Sequence, residues 1–255
     1  MSIFLIKNLY IFLLLVLCSA VFVYAEEGEI QFQDGSVYSG ELVNGEMTGL
    51  GYLVYPKDEA SSFQITYKGE FLNGEFNGHG VLTYDNGAIY EGAFVRGKRY
   101  GNGKIIYTDG TEYEGNFLDD KEEGNGVLKY SDGTVYEGNF KAGLPNGLGK
   151  ILYKDGNQYL GNFLDGNRDG KGEFIFANGS KYKGDFLNGQ IHGIGKYTFT
   201  DGSIYSGSFV NGNRDGSGEI VYMDGTIIVG NFKEGNLVGE ANITYPDGSK
   251  AKINY

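Results

Sequence analysis

The chain is poor in the residues that build disulfides, metal sites and basic surfaces. Its 255 residues include one cysteine, no tryptophan, two histidines and three prolines. The cysteine is Cys18, inside the N-terminal apolar stretch, so the rest of the chain can form neither a disulfide nor a cysteine metal site. Basic residues number 21 against 33 acidic residues, and the net charge of −12 argues against nucleic acid as a partner.

Residues 1–25 differ in composition from the rest of the chain. Lys7 is their only charge, and residues 9–17 are continuously apolar. The small residues around Ala25 predict a signal peptide cleaved after that residue. An uncleaved N-terminal membrane anchor is the alternative, because the stretch is at the short end of a membrane span. Both interpretations predict that residues 26–255 are exported to the periplasm, the cell surface or the medium.

Glycine and aromatic residues are abundant and regularly spaced. There are 44 glycines, 21 tyrosines and 17 phenylalanines. A Tyr-x-Gly-x-Phe marker begins at Tyr67, Tyr90, Tyr113, Tyr136, Tyr159, Tyr182 and Tyr205, 23 residues apart, with variant copies at Tyr38 and Ile228. The wider spacing between the first two copies predicts a longer loop near residues 56–64. A fixed period of this length indicates an array of about nine repeats over residues 26–255.

Other residue types recur at fixed positions after each marker. Glycine stands two and eleven residues after the marker in all nine copies, and thirteen residues after it in eight. A large apolar residue stands at plus fifteen and an aromatic residue at plus seventeen, as in Leu128 and Tyr130. Because alternate residues of a strand share a face, this spacing predicts two strands per repeat with their apolar residues in rows.

The turn between these strands decides whether the two rows share a face. A two-residue turn at Asp132-Gly133 would put them on opposite faces. A three-residue loop over residues 131–133, with Gly133 left-handed, pairs Tyr130 with Thr134 and puts both rows on one face. We favour the second turn because it agrees with the apolar pattern.

The same turn predicts the register of the hairpin. Tyr136 lies opposite Leu128, and Gly138 lies opposite Gly126, so that aromatic rings can lie across the glycine backbone. The expected fold is all-β, an elongated single twisted antiparallel sheet of stacked β-hairpins. About eighteen strands at a spacing of ~4.8 Å would extend over roughly 85 Å.

The repeat resembles a known family. Residues 113–117 and 136–140, both Tyr-Glu-Gly-Asn-Phe, are similar to the MORN (membrane occupation and recognition nexus) repeat, and the resemblance covers residues 28 to about 250. It implies an elongated array that serves as a protein-binding scaffold, often near membranes and sometimes as a homodimer. Phospholipid binding has also been proposed for this family.

The aromatic stripe has two interpretations. Packing of the hairpin stack comes first, because one face of a single sheet must be covered. The second is a surface that binds a protein partner, a lipid or a glycan, or that joins two copies of the chain. The candidate partner-binding residues are Tyr90, Phe94, Tyr113, Phe117, Tyr136, Phe140, Tyr159, Phe163, Tyr182 and Phe186.

The sequence predicts no enzyme, catalytic residue, metal site or cofactor. His79 and His192 stand in different repeats and are expected in exposed loops. Residues 165–170 begin like a calcium loop, but Phe176 stands where that loop needs a glutamate. The predicted function is a non-enzymatic scaffold for protein–protein interaction at the cell envelope or surface. The alternatives are a protein that associates with membrane phospholipid, and an envelope carbohydrate-binding protein or hydrolase.

Overall fold

A computed structural model describes residues 25–255, which form one open antiparallel β-sheet of 20 strands. The predicted signal peptide or anchor falls on residues 1–25 and, apart from Ala25, lies outside the described residues. Each repeat contributes a short strand that carries the marker and a longer strand that follows it. The all-β array of stacked hairpins predicted from the sequence is therefore confirmed.

The strands are of two lengths. The seven-residue strands are β2 (Val37–Val43), β4 (Thr66–Leu72), β6 (Ile89–Val95), β8 (Glu112–Leu118), β10 (Val135–Lys141), β12 (Gln158–Leu164), β14 (Lys181–Leu187), β16 (Ile204–Val210) and β18 (Ile227–Lys233). The nine-residue strands are β3 (Glu46–Val54), β5 (Glu75–Thr83), β7 (Lys98–Ile106), β9 (Lys121–Lys129), β11 (Leu144–Leu152), β13 (Asn167–Ile175), β15 (Gln190–Thr198), β17 (Asn213–Val221) and β19 (Asn236–Thr244). The first and last strands of the sheet are β1 (Glu26–Gln31) and β20 (Lys250–Asn254).

Every strand pairs antiparallel with its neighbours in the chain, so sequence order and sheet order coincide. The sequence predicted about eighteen strands, and the partial copies at the two ends add β1 and β20. At ~4.8 Å per strand the sheet extends over roughly 90 Å. Residues 55–65 form the longer loop between β3 and β4.

The hairpin turn between repeats is the three-residue form. The Tyr130 amide donates to the Thr134 carbonyl at 2.8 Å, and the Gly133 amide donates to the Tyr130 carbonyl at 3.0 Å. Gly133 has a φ of 91°, and the Asp132 carboxylate accepts the Thr134 amide at 2.8 Å. The predicted register is also confirmed, because Tyr136 pairs with Leu128 and Gly138 with Gly126.

The turn inside each repeat is a two-residue type I′ turn, in which both central residues have positive φ. The first central residues are Asn44, Asn73, Arg96, Asp119, Ala142, Asp165, Asn188, Asn211 and Glu234. The second is glycine except at Asp120. Ala142 is the least suited to this conformation, because its side chain crowds a left-handed backbone and offers no local hydrogen bond.

Replacing Ala142 with asparagine should therefore raise the free energy of unfolding by about 0.5–1 kcal/mol. The φ of 51° is kept, and asparagine tolerates it better than alanine. The urea midpoint by circular dichroism measures the change. The matched control is Asn188→Ala at a φ of 48°, which should lower the stability by a similar amount. Equal midpoints for both variants would contradict this explanation.

The glycine eleven residues after each marker forms a β-bulge that the sequence interpretation left unassigned. In the repeat of β10 and β11, Gly138 pairs with Gly149 and Phe140 pairs with Pro145. Asn139 alone therefore faces the three residues 146–148 of the longer strand. Gly147 in this bulge has a φ of 91°, and the equivalent glycines of all nine repeats also have positive φ. A bulge of this kind needs glycine because the left-handed conformation excludes most side chains.

The core lies on one face of the sheet. Marker tyrosines and phenylalanines fill it, and apolar residues of the longer strands, such as Leu53 and Ile105, pack beside them. The structure of residues 25–255 includes no helix long and apolar enough to cross a membrane.

Candidate functional site

Each marker tyrosine lies flat over a pair of glycines. In the β10–β11 hairpin, a Cβ on Gly149 would lie 2.5 Å from the Tyr136 hydroxyl, and a Cβ on Gly138 would lie equally close. The Tyr136 hydroxyl donates to the Asn139 carbonyl at 2.8 Å. Burial raises the pKa of Tyr136 to about 12. The glycines are therefore needed for space rather than for backbone flexibility.

The rings form a continuous ladder across the repeats. Tyr113 makes an edge contact with Phe117 of its own repeat, with ring centroids 5.2 Å apart. It makes a second edge contact with Phe140 of the next repeat at 4.9 Å. Such contacts stabilise aromatic pairs by about 0.5–1.5 kcal/mol beyond burial. Each repeat therefore packs against the next through its aromatic residues.

The ten residues predicted to bind a partner are all part of this ladder. Tyr90, Phe94, Tyr113, Phe117, Tyr136, Phe140, Tyr159, Phe163, Tyr182 and Phe186 expose between 0 and 6% of their surface. The hydroxyls of the five tyrosines donate to backbone carbonyls rather than to solvent, because a sheet of a single layer uses these rings to cover its own backbone. In this conformation they offer a partner no surface, and packing is the role that their geometry supports.

The residues that cover the ladder were missed at the sequence level. They stand nine residues after each marker, and three of them are Arg99, Arg168 and Arg214. The guanidinium of Arg168 lies 5.7 Å from the Tyr159 ring centroid and 5.6 Å from that of Phe186. Arginine over an aromatic face is a favourable cation–π arrangement. The recurrence of arginine at one repeat position was the signal available in the sequence.

The opposite face of the sheet carries polar residues and a long depression. Its central side chains stand one, twelve and fourteen residues after each marker. Three adjoining depressions of about 490, 560 and 760 Å³ lie on this face across strands β5 to β16. We call them together the trough. Its floor is the backbone of the glycines that the tyrosines cover from the other side.

The charge of the trough changes sign along its length. Over β6–β10 the carboxylates of Glu91, Glu114 and Glu137 face it, and Lys104 is held by Glu112 at 2.9 Å. We call this part the acidic half. Over β11–β15 the lysines at 150, 171, 183 and 196 lie on this face with two carboxylates, Glu173 and Asp185. We call this part the basic half.

Three apolar side chains are exposed in the basic half. Leu148, Leu160 and Ile194 expose 64%, 60% and 61% of their surface. Equivalent positions in the acidic half carry glutamate and asparagine, as in Glu114 and Asn125. Both sets of strands fold alike, so packing of the repeat does not require apolar residues at these positions.

The two histidines lie on strands rather than in the exposed loops predicted from the sequence. His79 lies on β5 and His192 on β15, because the longer strand continues through the bulge to the tight turn. Among residues 25–255, no three His, Cys, Asp or Glu side chains lie close enough together to hold a metal ion.

Every carboxyl group whose pKa departs from its usual value is shifted downwards. The hydroxyl and amide of Thr134 hold the pKa of Asp132 below its usual range, with the amide bond the larger cause. The Lys171 ammonium beside Asp185 does the same for that carboxyl. These shifts belong to turns and ion pairs, whereas a catalytic acid usually has a raised pKa.

The chain belongs to the MORN repeat family. The family model matches residues 38–58, 67–89, 90–112, 113–135, 136–158, 159–181, 182–204, 205–227 and 229–250. The matched segments follow the 23-residue period, so each one is a repeat of the sheet. No curated protein matches the chain in sequence.

Two solved structures show a weaker likeness. The TCP domain of SAS-4 (dCPAP) of Drosophila melanogaster, in complex with a proline-rich motif of Ana2 (dSTIL), matches 64% of this chain and 94% of its own, at 20% identity and a TM-score of 0.41. The wild-type TCP10 domain of Danio rerio CPAP matches 89% of this chain and 94% of its own, at 14% identity and a TM-score of 0.44. Likenesses of this strength carry no inference about partners of this chain.

Proposed function

We propose that the chain is a non-enzymatic MORN-repeat scaffold that binds a protein partner at the cell envelope or surface. Membership of the family supports a scaffold built from stacked repeats. The downward pKa shifts and the placement of His79 and His192 support a role without catalysis. Large repeat surfaces of this kind usually serve recognition of other macromolecules.

The trough is the observation that carries this proposal. Each strand uses one face for the aromatic ladder, and no other element of residues 25–255 covers its second face. Leu148, Leu160 and Ile194 expose most of their surface there. Exposed apolar groups on a surface rimmed by polar residues are typical of interaction sites.

Location outside the cytoplasm rests on residues 1–25 alone. Their single charge at Lys7 and the small residues before Glu26 favour export, with or without cleavage. The export test is protease added to intact cells that produce the tagged full-length chain. Digestion of the tag without cell lysis is expected, and complete protection of the tag would contradict export.

The test of the scaffold is crosslinking in intact cells with the tagged full-length chain, followed by capture and mass spectrometry. A protein partner should be enriched with the parent chain. It should be lost with Gly126→Ala, which disrupts the middle of the array. Enrichment of no protein, together with flotation of the chain on phospholipid vesicles, would overturn the proposal in favour of lipid association.

A further inference from the structure

We infer that the trough is the docking site for one linear segment of a partner protein, basic where it lies over β6–β10 and acidic with apolar side chains where it lies over β11–β15. This inference rests on the proposed function and adds the chemistry and direction of the partner to it. The acidic half and the basic half of the trough together determine the direction in which the segment runs.

The shape of the trough favours a linear occupant. Its depressions adjoin across strands, since Glu114 at the end of the first one pairs with Val127 of the second. From β6 to β15 there are nine strand spacings, or about 43 Å. A fully extended segment of about 13 residues covers that distance. The trough runs across the strands, so the segment does not add a strand to the sheet.

The acidic half carries more carboxylates than ammonium groups. Lys104 lies directly opposite both Glu91 and Glu114 in the sheet, and its ammonium is already held by Glu112. Among the described residues, the ion pairs do not include Glu91, Glu114 or Glu137. They stand at the same repeat position, one on every second strand, about 10 Å apart. A segment with lysine or arginine at this end would neutralise them.

The basic half favours a segment with acidic residues. Lys171 is held by Asp185 at 2.6 Å, whereas Lys150 and Lys196 take part in no ion pair within residues 25–255. Lys183 lies directly opposite Lys196 on one side and directly opposite Glu173 on the other. Like charges in directly opposite positions destabilise a sheet. The basic half therefore has more ammonium groups than carboxylates, and an anionic partner would neutralise this excess.

Apolar contacts complete the basic half. Leu148, Leu160 and Ile194 lie among the lysines along the trough, and each exposes about 60% or more of its surface. A segment that carries both carboxylates and apolar side chains would contact both the lysines and the apolar residues. Free polyanions would satisfy the lysines alone.

The same geometry disfavours a membrane surface as the occupant. An anionic membrane would meet the carboxylates of Glu91, Glu114 and Glu137 as soon as it entered the trough. A protein segment can enter the trough and present a different charge at each end.

Site-specific photocrosslinking in intact cells tests the inference on the full-length chain. A photoreactive phenylalanine analogue replaces Asn102 in the acidic half, Leu160 in the basic half, or Met223 in a turn outside the trough. Mass spectrometry then identifies the crosslinked segment. We expect Asn102 and Leu160 to capture one segment of one protein, with basic residues near Asn102 and acidic and apolar residues near Leu160.

The outcomes separate this inference from the proposed function. Protein capture at Met223 with none in the trough would leave the scaffold standing and overturn the docking site. Capture of no protein at any of the three positions would overturn both the docking site and the scaffold. Lipid, glycan or a second copy captured at Leu160, or a segment with the opposite charge order, would also overturn the docking site.

A charge variant provides a second measurement that misfolding cannot imitate. Lys196→Glu should reduce the crosslinking yield at Leu160 about tenfold, because it repels the acidic end of the segment. The variant removes the unfavourable pair with Lys183, so its melting temperature should stay the same or rise. The matched control is Lys141→Glu, which makes the same charge change outside the trough. An equal loss with both variants would show an effect of net charge only.

Discussion

Replacing Gly126 with alanine is expected to lower the free energy of unfolding by about 3 kcal/mol or more, near the upper end for an overpacked core. The new Cβ would lie 2.6 Å from the Tyr113 ring, well inside van der Waals contact. Tyr113 is fully buried and is held by Phe117 and Phe140 in edge contacts. The ring cannot move aside without breaking the ladder between two repeats.

The matched control is Gly133→Ala in the three-residue turn. Nothing lies within 4 Å of a Cβ at Gly133, but its φ of 91° is unfavourable for alanine. This change should lower the stability by only about 1 kcal/mol. The two variants make the same chemical substitution, so the difference between them measures the clash with the tyrosine ring.

Urea unfolding followed by circular dichroism measures both variants. The Tyr113→Ala background supplies the decisive comparison, although that change alone lowers the stability by about 3–5 kcal/mol. All three nearest atoms to a Cβ at Gly126 belong to Tyr113. Gly126→Ala should therefore have little further effect once the ring is gone. An undiminished effect in that background would show that the ring is not the cause.

Alkaline pH is expected to unfold the array between about pH 10 and pH 12. The eight marker tyrosines expose at most 1% of their surface, and burial is the main reason why the pKa of each is raised. For Tyr90, Tyr136 and Tyr159 the raised pKa is about 12. In the unfolded chain a tyrosine ionises near pH 10.

The direction of this pH effect on stability follows from the linkage between ionisation and folding. A group whose pKa is raised by folding holds its proton more tightly in the folded state. Its contribution to stability is complete below the unfolded pKa of about 10 and is lost as the pH rises through the folded value of about 12. Eight such tyrosines act in the same direction, so the stability should fall steeply as the pH rises.

Tyrosinate absorbance and circular dichroism, recorded during one titration, measure this effect. The marker tyrosines should ionise above pH 10, together with the loss of β-structure. Ionisation of all tyrosines near pH 10 with an unchanged dichroism spectrum would contradict burial of the ladder.

Much of the fold could be predicted because the repeat is local. The spacing of Tyr130, Gly133 and Tyr136 sets the turn, the register and the shared apolar face within a few residues. The same pattern in nine copies extends one hairpin into a sheet. The bulge at glycines such as Gly147 escaped prediction, because a glycine in a sequence does not reveal whether it supplies space or a left-handed backbone.

The candidate site was less predictable than the fold. Rings such as Tyr113 and Phe117 were assigned to partner binding as an alternative to packing, and their burial supports packing. The trough is formed by residues far apart in sequence, and it became visible only once the register aligned them across strands. Its exposed leucines and unpaired lysines resemble ordinary strand residues in the sequence.

The sequence by itself determined the repeat, the hairpin turn, the pairing of strands and the face that carries aromatic residues. These depend on alternation and on glycine, which act over short distances along the chain. Only the tertiary structure decided that the rings are covered and that the bulge glycines are left-handed. It also decided that the opposite face forms a trough with an acidic half and a basic half. The burial of a side chain and the electrostatic potential along a surface depend on neighbours from many repeats, so neither can be predicted from one repeat alone.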